Sequence, residues 1–153
     1  MTAVAPHLAA HLPLIDLTDQ LSRLPFEAAL ANGTNAVPIG PAQIGVPALR
    51  EDITARALLC GVRPEHVRLE DSSPLRAEVL GTEYLGTSRV VTLATAQGAT
   101  LRAKVDVAST AKRGDHVGLA FDAAAVSLFD KTSGRALRTA RDDHAHVTGA
   151  RHG

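Results

Sequence analysis

Residues 101–107 read Leu-Arg-Ala-Lys-Val-Asp-Val, apolar and polar side chains alternating without exception. Successive side chains of a strand point to opposite faces, so this run reads as a strand with one buried and one wetted face. The expected buried set is Leu101, Ala103, Val105 and Val107, against Arg102, Lys104 and Asp106. The same rhythm recurs on either side. Leu75, Ala77 and Val79 alternate with Arg76 and Glu78 in a segment running to Tyr84. Arg89–Ala96 is rich in β-branched residues, Val117, Leu119 and Phe121 alternate again, and Ala125–Phe129 supplies a last strand. Turn signals separate these runs at Gln97-Gly98, Lys112-Arg113-Gly114-Asp115 and Lys131-Thr132-Ser133-Gly134. Short strands punctuated about every ten residues are the pattern of an antiparallel sandwich or small barrel.

The first third is less regular. Phe26–Ala31 is expected as a strand, Asn32-Gly33 as a hairpin-type turn and Ala36–Ile39 as the returning strand. Ile53–Val62 is expected as a short helical turn running into a strand over Ala57–Gly61. Arg63-Pro64-Glu65-His66 must turn, because the residue before a proline is pushed to extended geometry. Residues 1–24 form an arm in which Leu17, Leu21 and Leu24 have helical spacing. It reads either as a short amphipathic helix over Asp16–Leu24 or as a frayed, partner-dependent segment. Residues 138–153, with Arg138, Arg141, Asp142, Asp143 and three histidines, show no periodic apolar face and are expected to be disordered. The organisation is thus an arm over 1–24, an all-β domain with minor helix over 25–137, and a tail over 138–153.

Composition narrows the function. In 153 residues, Lys plus Arg and Asp plus Glu each number 16, so the basic balance expected of a nucleic-acid or anionic-membrane binder is absent. Aromatic residues make up 3% with no Trp, a poor platform for stacking bases. The single cysteine, Cys60, excludes an internal disulfide framework and a four-cysteine zinc site. No Lys or Arg precedes Arg23 and no apolar run is long enough for a signal peptide or a membrane span, so a cytoplasmic location is expected, free or docked to something larger.

Searches for chemistry return little. Gly40 and Gly45 have the glycine spacing of a phosphate-binding P-loop, but Val46 and Pro47 stand where Lys and Ser or Thr are required. His144, His146 and His152 fit no closed zinc spacing, and a tail lacks the groups that orient metal ligands. Cys60 lies in an apolar segment and reads as a small buried hydrophobe. Tyr84 and Leu85 beside Gly86 read as a corner packed on the core, and no G-x-S-x-G elbow is present. The expectation is a protein that is not an enzyme, with no catalytic, cofactor-binding or metal-ligating residues. Arg63, Glu65 and His66, flanking a proline turn, are the candidate contacts for a regulator or a second subunit.

Three motifs in order carry a family resemblance. Gly61-Val62-Arg63-Pro64-Glu65-His66 resembles the turn that opens the second half of the C-terminal regulatory region in ATPase subunits of sugar-importing ABC transporters. The segments Leu75–Gly86, Val90–Leu93 and Leu101–Val105 resemble its paired strands. Gly114-Asp115-His116-Val117-Gly118-Leu119-Ala120-Phe121-Asp122, followed by Leu128-Phe129-Asp130-Lys131-Thr132-Ser133-Gly134, is similar to its ending. The resemblance covers 57–137, with a looser extension over 26–49. It implies a TOBE module, a transport-associated β-barrel of the OB-fold kind. In the maltose and glycerophosphate importers such modules dimerise, contact regulators and hold no catalytic residues. It therefore implies a homodimer and transporter ATPase, permease or regulatory partners, with membrane contact only through them. The chain has no P-loop, signature or Walker B motif, so it reads either as the regulatory end of such an ATPase or as a free-standing relative, unable to hydrolyse ATP by itself. A second resemblance is to molybdate-binding barrels, through Leu101-Arg102-Ala103-Lys104-Val105 and Ser109-Thr110. It implies a small-oxyanion module of the molybdate or sulfate type. Where that family carries a Lys-Ala-Ser element this chain has Leu119-Ala120-Phe121-Asp122, whose carboxylate would repel an anion.

Overall fold

The computed structural model describes residues 21–143, and nearly all of their regular structure is strand. The strands are β1 (Ser22–Leu30), β2 (Ala36–Ile39), β3 (Ala42–Gly45), β4 (Ile53–Val62), β5 (Val67–Leu69), β6 (Arg76–Tyr84), β7 (Ser88–Thr95), β8 (Thr100–Asp106), β9 (His116–Phe121) and β10 (Ser127–Asp130). They form three antiparallel sheets in the orders β1-β4-β10, β2-β3 and β5-β9-β6-β7-β8. β8 runs alongside β5 without sharing a ladder with it, so the five-stranded sheet curls into a barrel with an unzipped seam. Among the described residues no helix is long and apolar enough to cross a membrane.

One core serves all three sheets. Leu24, Val37, Ile39, Leu58, Val67, Leu75, Leu93, Leu101, Leu119 and Leu128 are each at most 1–2% exposed and belong to a single cluster. Period-two patterning explains the barrel half. Leu101 and Ala103 of β8, Ala77 and Val79 of β6, and Leu119 of β9 all point inward, as alternation requires.

Several expectations need correction. Ile53–Val62 has no helical turn. It is one ten-residue strand, because β1 pairs along it from Leu30↔Ile53 to Ser22↔Val62 and β10 pairs on its other edge. Ser22–Leu24 belong to β1 rather than to a helix, and residues 1–20 lie outside the described part. Ala36–Ile39 is a strand but not the partner of β1. It pairs with β3 across a tight turn at Gly40, whose φ of +56° suits glycine, while Gly33 and Thr34 bond instead to Leu49. Val107 is 44% exposed because the β7–β8 ladder ends at Asp106, whose carbonyl and carboxylate accept from Ser109 and Ala108 and turn the chain away. Ala125 lies in a 3-10 turn over Ala123–Ala125, so the last strand starts at Ser127.

Tyr84 and Leu85 are not core residues. They stand 67% and 40% exposed at the tip of the β6–β7 hairpin, beyond a bulge between Val79 and Gly81. The start of the expected disordered tail is built into the fold. Thr139 is buried and bridged to Leu49, residues 140–143 make one helical turn, and Asp143 pairs with Arg50. Residues 144–153, with His144, His146 and His152, lie outside the described part.

Candidate ligand site at the barrel seam

The corner named by the sequence joins β4 to β5 through a 3-10 turn over Pro64–His66. Pro64 is buried there, which leaves its charged neighbours at the surface. Arg63 Nε donates to Glu65 Oε2 at 3.1 Å. Burial works against the Glu65 carboxylate, but its own N–H and the Arg63 guanidinium together hold its pKa below the ordinary value. His66 Nδ1 lies 3.3 Å from Asp122 Oδ2, and Arg68 takes the other oxygen of the same carboxylate. The structure thus brings Arg63, Glu65 and His66 to one exposed charged edge. Asp122, the residue expected to oppose an anion, is engaged there by two basic side chains.

A concave feature lies at the seam of the barrel. A cleft of about 410 Å³ is lined by Leu69 and Asp71 after β5, by Ser109, Thr110 and Ala111 after β8, and by Asp115, His116 and Val117 entering β9. Asp122 is not among its walls. Along the loop, Ala108 N–H goes to Asp106 Oδ1, Ser109 N–H to Asp106 O, Ala111 N–H to Ser109 Oγ and Lys112 N–H to Asp115 Oδ2. Thr110 N–H alone in this run has no acceptor among the described residues, and Ser109 and Thr110 both line the cleft. Lys112 N–H holds the Asp115 carboxyl below its ordinary range despite a smaller desolvation penalty, and Lys112 Nζ sits 3.4 Å from Asp115 Oδ1. Asp71 is the remaining carboxylate of the wall.

Behind this loop lies Arg89, 4% exposed. Its two Nη groups donate to the carbonyls of Ser109 and Ala111, its guanidinium sits 5.3 Å from the centre of the Tyr84 ring, and its Nε is buried with no acceptor among the described residues. No carboxylate pairs with it among the described residues. Sequence reading missed Arg89, although a signal existed: counting back by twos from Thr95 through Leu93 and Val91 puts Arg89 on the inner face of β7. Cys60, in contrast, is as expected. It is fully buried in β4, and desolvation pushes its thiol up to about 12.

The chain is similar in fold to a solved structure of the cytoplasmic molybdate-binding protein ModG with molybdate bound. The TM-score is 0.55 at 16% identity, over 71% of this chain and 94% of that one. At that identity the likeness speaks to the fold, an all-β barrel of the OB kind. No curated protein matches the chain. Residues 60–129 match the family model of the TOBE domain. The matched stretch covers the barrel and the strand ends that frame it, beginning at Cys60 and ending at Phe129 on adjacent rungs of β4 and β10.

Proposed function

We propose that this chain is a non-catalytic binding module whose ligand is a small tetrahedral oxyanion. The observation that carries the reading is the Thr110 N–H, without an acceptor among the described residues, on a loop whose Ser109 and Thr110 line the seam cleft. A backbone N–H and hydroxyls are the donors that recognise an oxyanion without proton transfer. The TOBE match and the fold shared with a molybdate-binding protein support the same direction. The carboxylate that argued against it from sequence, Asp122, is engaged elsewhere by Arg68 and His66. Calorimetric titration of the chain with molybdate, tungstate, sulfate and phosphate tests the reading. Saturable heat from at least one is expected, and no heat from any of them would overturn it.

The charged corner favours a second reading, a regulatory contact within a sugar-importer assembly. Arg63 and Glu65, 45% and 40% exposed at the side chain, present a fixed ion pair on a rigid proline turn. In this reading the chain pairs with a second copy and with an ATPase, permease or regulator of the transporter. Co-purification of such a subunit with the wild-type chain, lost in Arg63→Ala and Glu65→Ala, supports it. Retention of the subunit by both variants removes the corner from the contact.

A further inference from the structure

A buried guanidinium without a carboxylate is costly, because burial strips away the water that would otherwise screen its charge. Arg89 is in that position. Among the described residues only the carbonyl oxygens of Ser109 and Ala111 and the π-face of Tyr84 answer its charge, and Nε is left without an acceptor. Both carbonyls belong to residues that line the seam cleft, while Arg89 itself stands behind them. Every peptide bond here is trans, so a carbonyl drawn toward Arg89 turns the N–H of the next residue the opposite way. The Ser109 carbonyl faces the guanidinium, and the N–H of the following residue is that of Thr110.

We infer that Arg89 is the positioning and charge-selecting residue of the oxyanion site. It holds the Ser109–Ala111 loop from the inside, so that Thr110 N–H is presented to the cleft, and its uncompensated positive charge makes the site prefer a doubly charged tetrahedral anion to a singly charged one of the same shape. This rests on the oxyanion reading above. The two functions of Arg89 are separable, because a lysine keeps the charge but cannot reproduce the fork that grips two carbonyls at once. The carboxylates of Asp71 and Asp115 work against any anion, which makes a fixed positive charge behind the loop the feature that sets the preference.

The test is calorimetry on the full chain with molybdate, a dianion, and perrhenate, a monoanion of the same tetrahedral form. The wild type is expected to bind molybdate at least about ten-fold more tightly than perrhenate. Arg89→Met is expected to lose about ten-fold or more in molybdate affinity and to bring the ratio of the two anions close to one. Arg89→Lys is expected to weaken both anions while preserving their ratio. Melting curves establish which variants fold, and if Arg89→Met does not, Arg89→Lys decides. A second readout needs no variant. Tyr84 is the single tyrosine of a chain without Trp, and it stacks on Arg89, so its fluorescence is expected to change saturably as molybdate fills the cleft. Absence of oxyanion binding by the wild type would sink the proposed function and this inference together. Molybdate binding that is blind to both Arg89 variants, or equal for the two anions, would overturn the inference alone and leave the function standing.

Discussion

Asp71 and Thr110 line the same cleft, so a ligand that accepts from the Thr110 N–H must tolerate a carboxylate in the same wall. Asp71→Asn removes that opposing charge and keeps the shape of the side chain. It is expected to tighten molybdate binding by about three- to ten-fold in low salt, an advantage that titration in higher salt should erode. Cys60 makes a prediction of the opposite kind, that nothing happens. Its thiol, fully buried and raised to about 12, is expected to resist an aromatic disulfide reagent at pH 8 until the chain unfolds, so that labelling tracks the loss of strand signal. At this scale the sequence was legible where burial alone decides, as at Cys60. It was not legible where a polar residue sits inside for a reason supplied by a distant segment. Alternation along β7 marks Arg89 as inward-facing, but only the folded chain shows that the carbonyls of Ser109 and Ala111, some twenty positions on, receive it.

Strand β9 is squeezed between its neighbours at Gly118. A methyl group there would run into the carbonyl oxygen of Glu70 and the guanidinium of Arg76, and the first is backbone fixed by the bond from Glu70 N–H to Gly118 O. Gly118→Ala is therefore expected to cost about 2–3 kcal/mol in urea denaturation, with a midpoint shift and little change in slope. The elements that could be read from sequence were those with one wet face. β6, β8 and β9 alternate because one side meets the core and the other meets water. β4 was misread because it is flanked by β1 and β10 and its second half, Leu58–Val62, is nearly all buried. A short apolar run of that kind has no period to distinguish a strand from a helix. The partner of β2 was missed for another reason. Asn32-Gly33 and Gly40-Pro41 are both valid turn signals, and the choice between them was made by Leu49, which accepts from Gly33 and donates to Thr34.

Taken whole, the molecule is tied together at its return strands by acidic side chains. Glu51 accepts two bonds from Arg135, at 3.0 and 3.1 Å, and one from Arg138 N–H at 2.7 Å, and the Arg135 bonds chiefly hold its carboxyl below 4.5. Asp130 is opposed by desolvation but held below 3.8 by the N–H groups of Thr132 and Ser133 and by the charge of Arg56. A carboxyl with a lowered folded value contributes stability that is complete above its unfolded value and is lost as pH falls through the folded one. The melting temperature is thus expected to hold steady near neutrality and to fall once the pH drops below about 4.5. Glu51→Gln is expected to melt lower at pH 7 and to show a shallower acid decline, both readable from circular-dichroism melts. The all-β class was legible from turn spacing, which left sandwich and barrel open; the family resemblance chose the barrel. The ordering of residues 138–143 was not legible, because Thr139 finds its place through Leu49, ninety positions earlier in the chain. The barrel leaves β4 and rejoins the fold at β10, and those two strands lie side by side with Gly61 opposite Ser127. Its entrance and exit are therefore one doorway. A stretch of chain arranged in this way can be lengthened, shortened or exchanged as a unit while the host strands keep their places. The seam cleft travels with it: every residue that lines it lies between those two rungs, so the binding chemistry and the piece that can be transplanted are the same length of polypeptide.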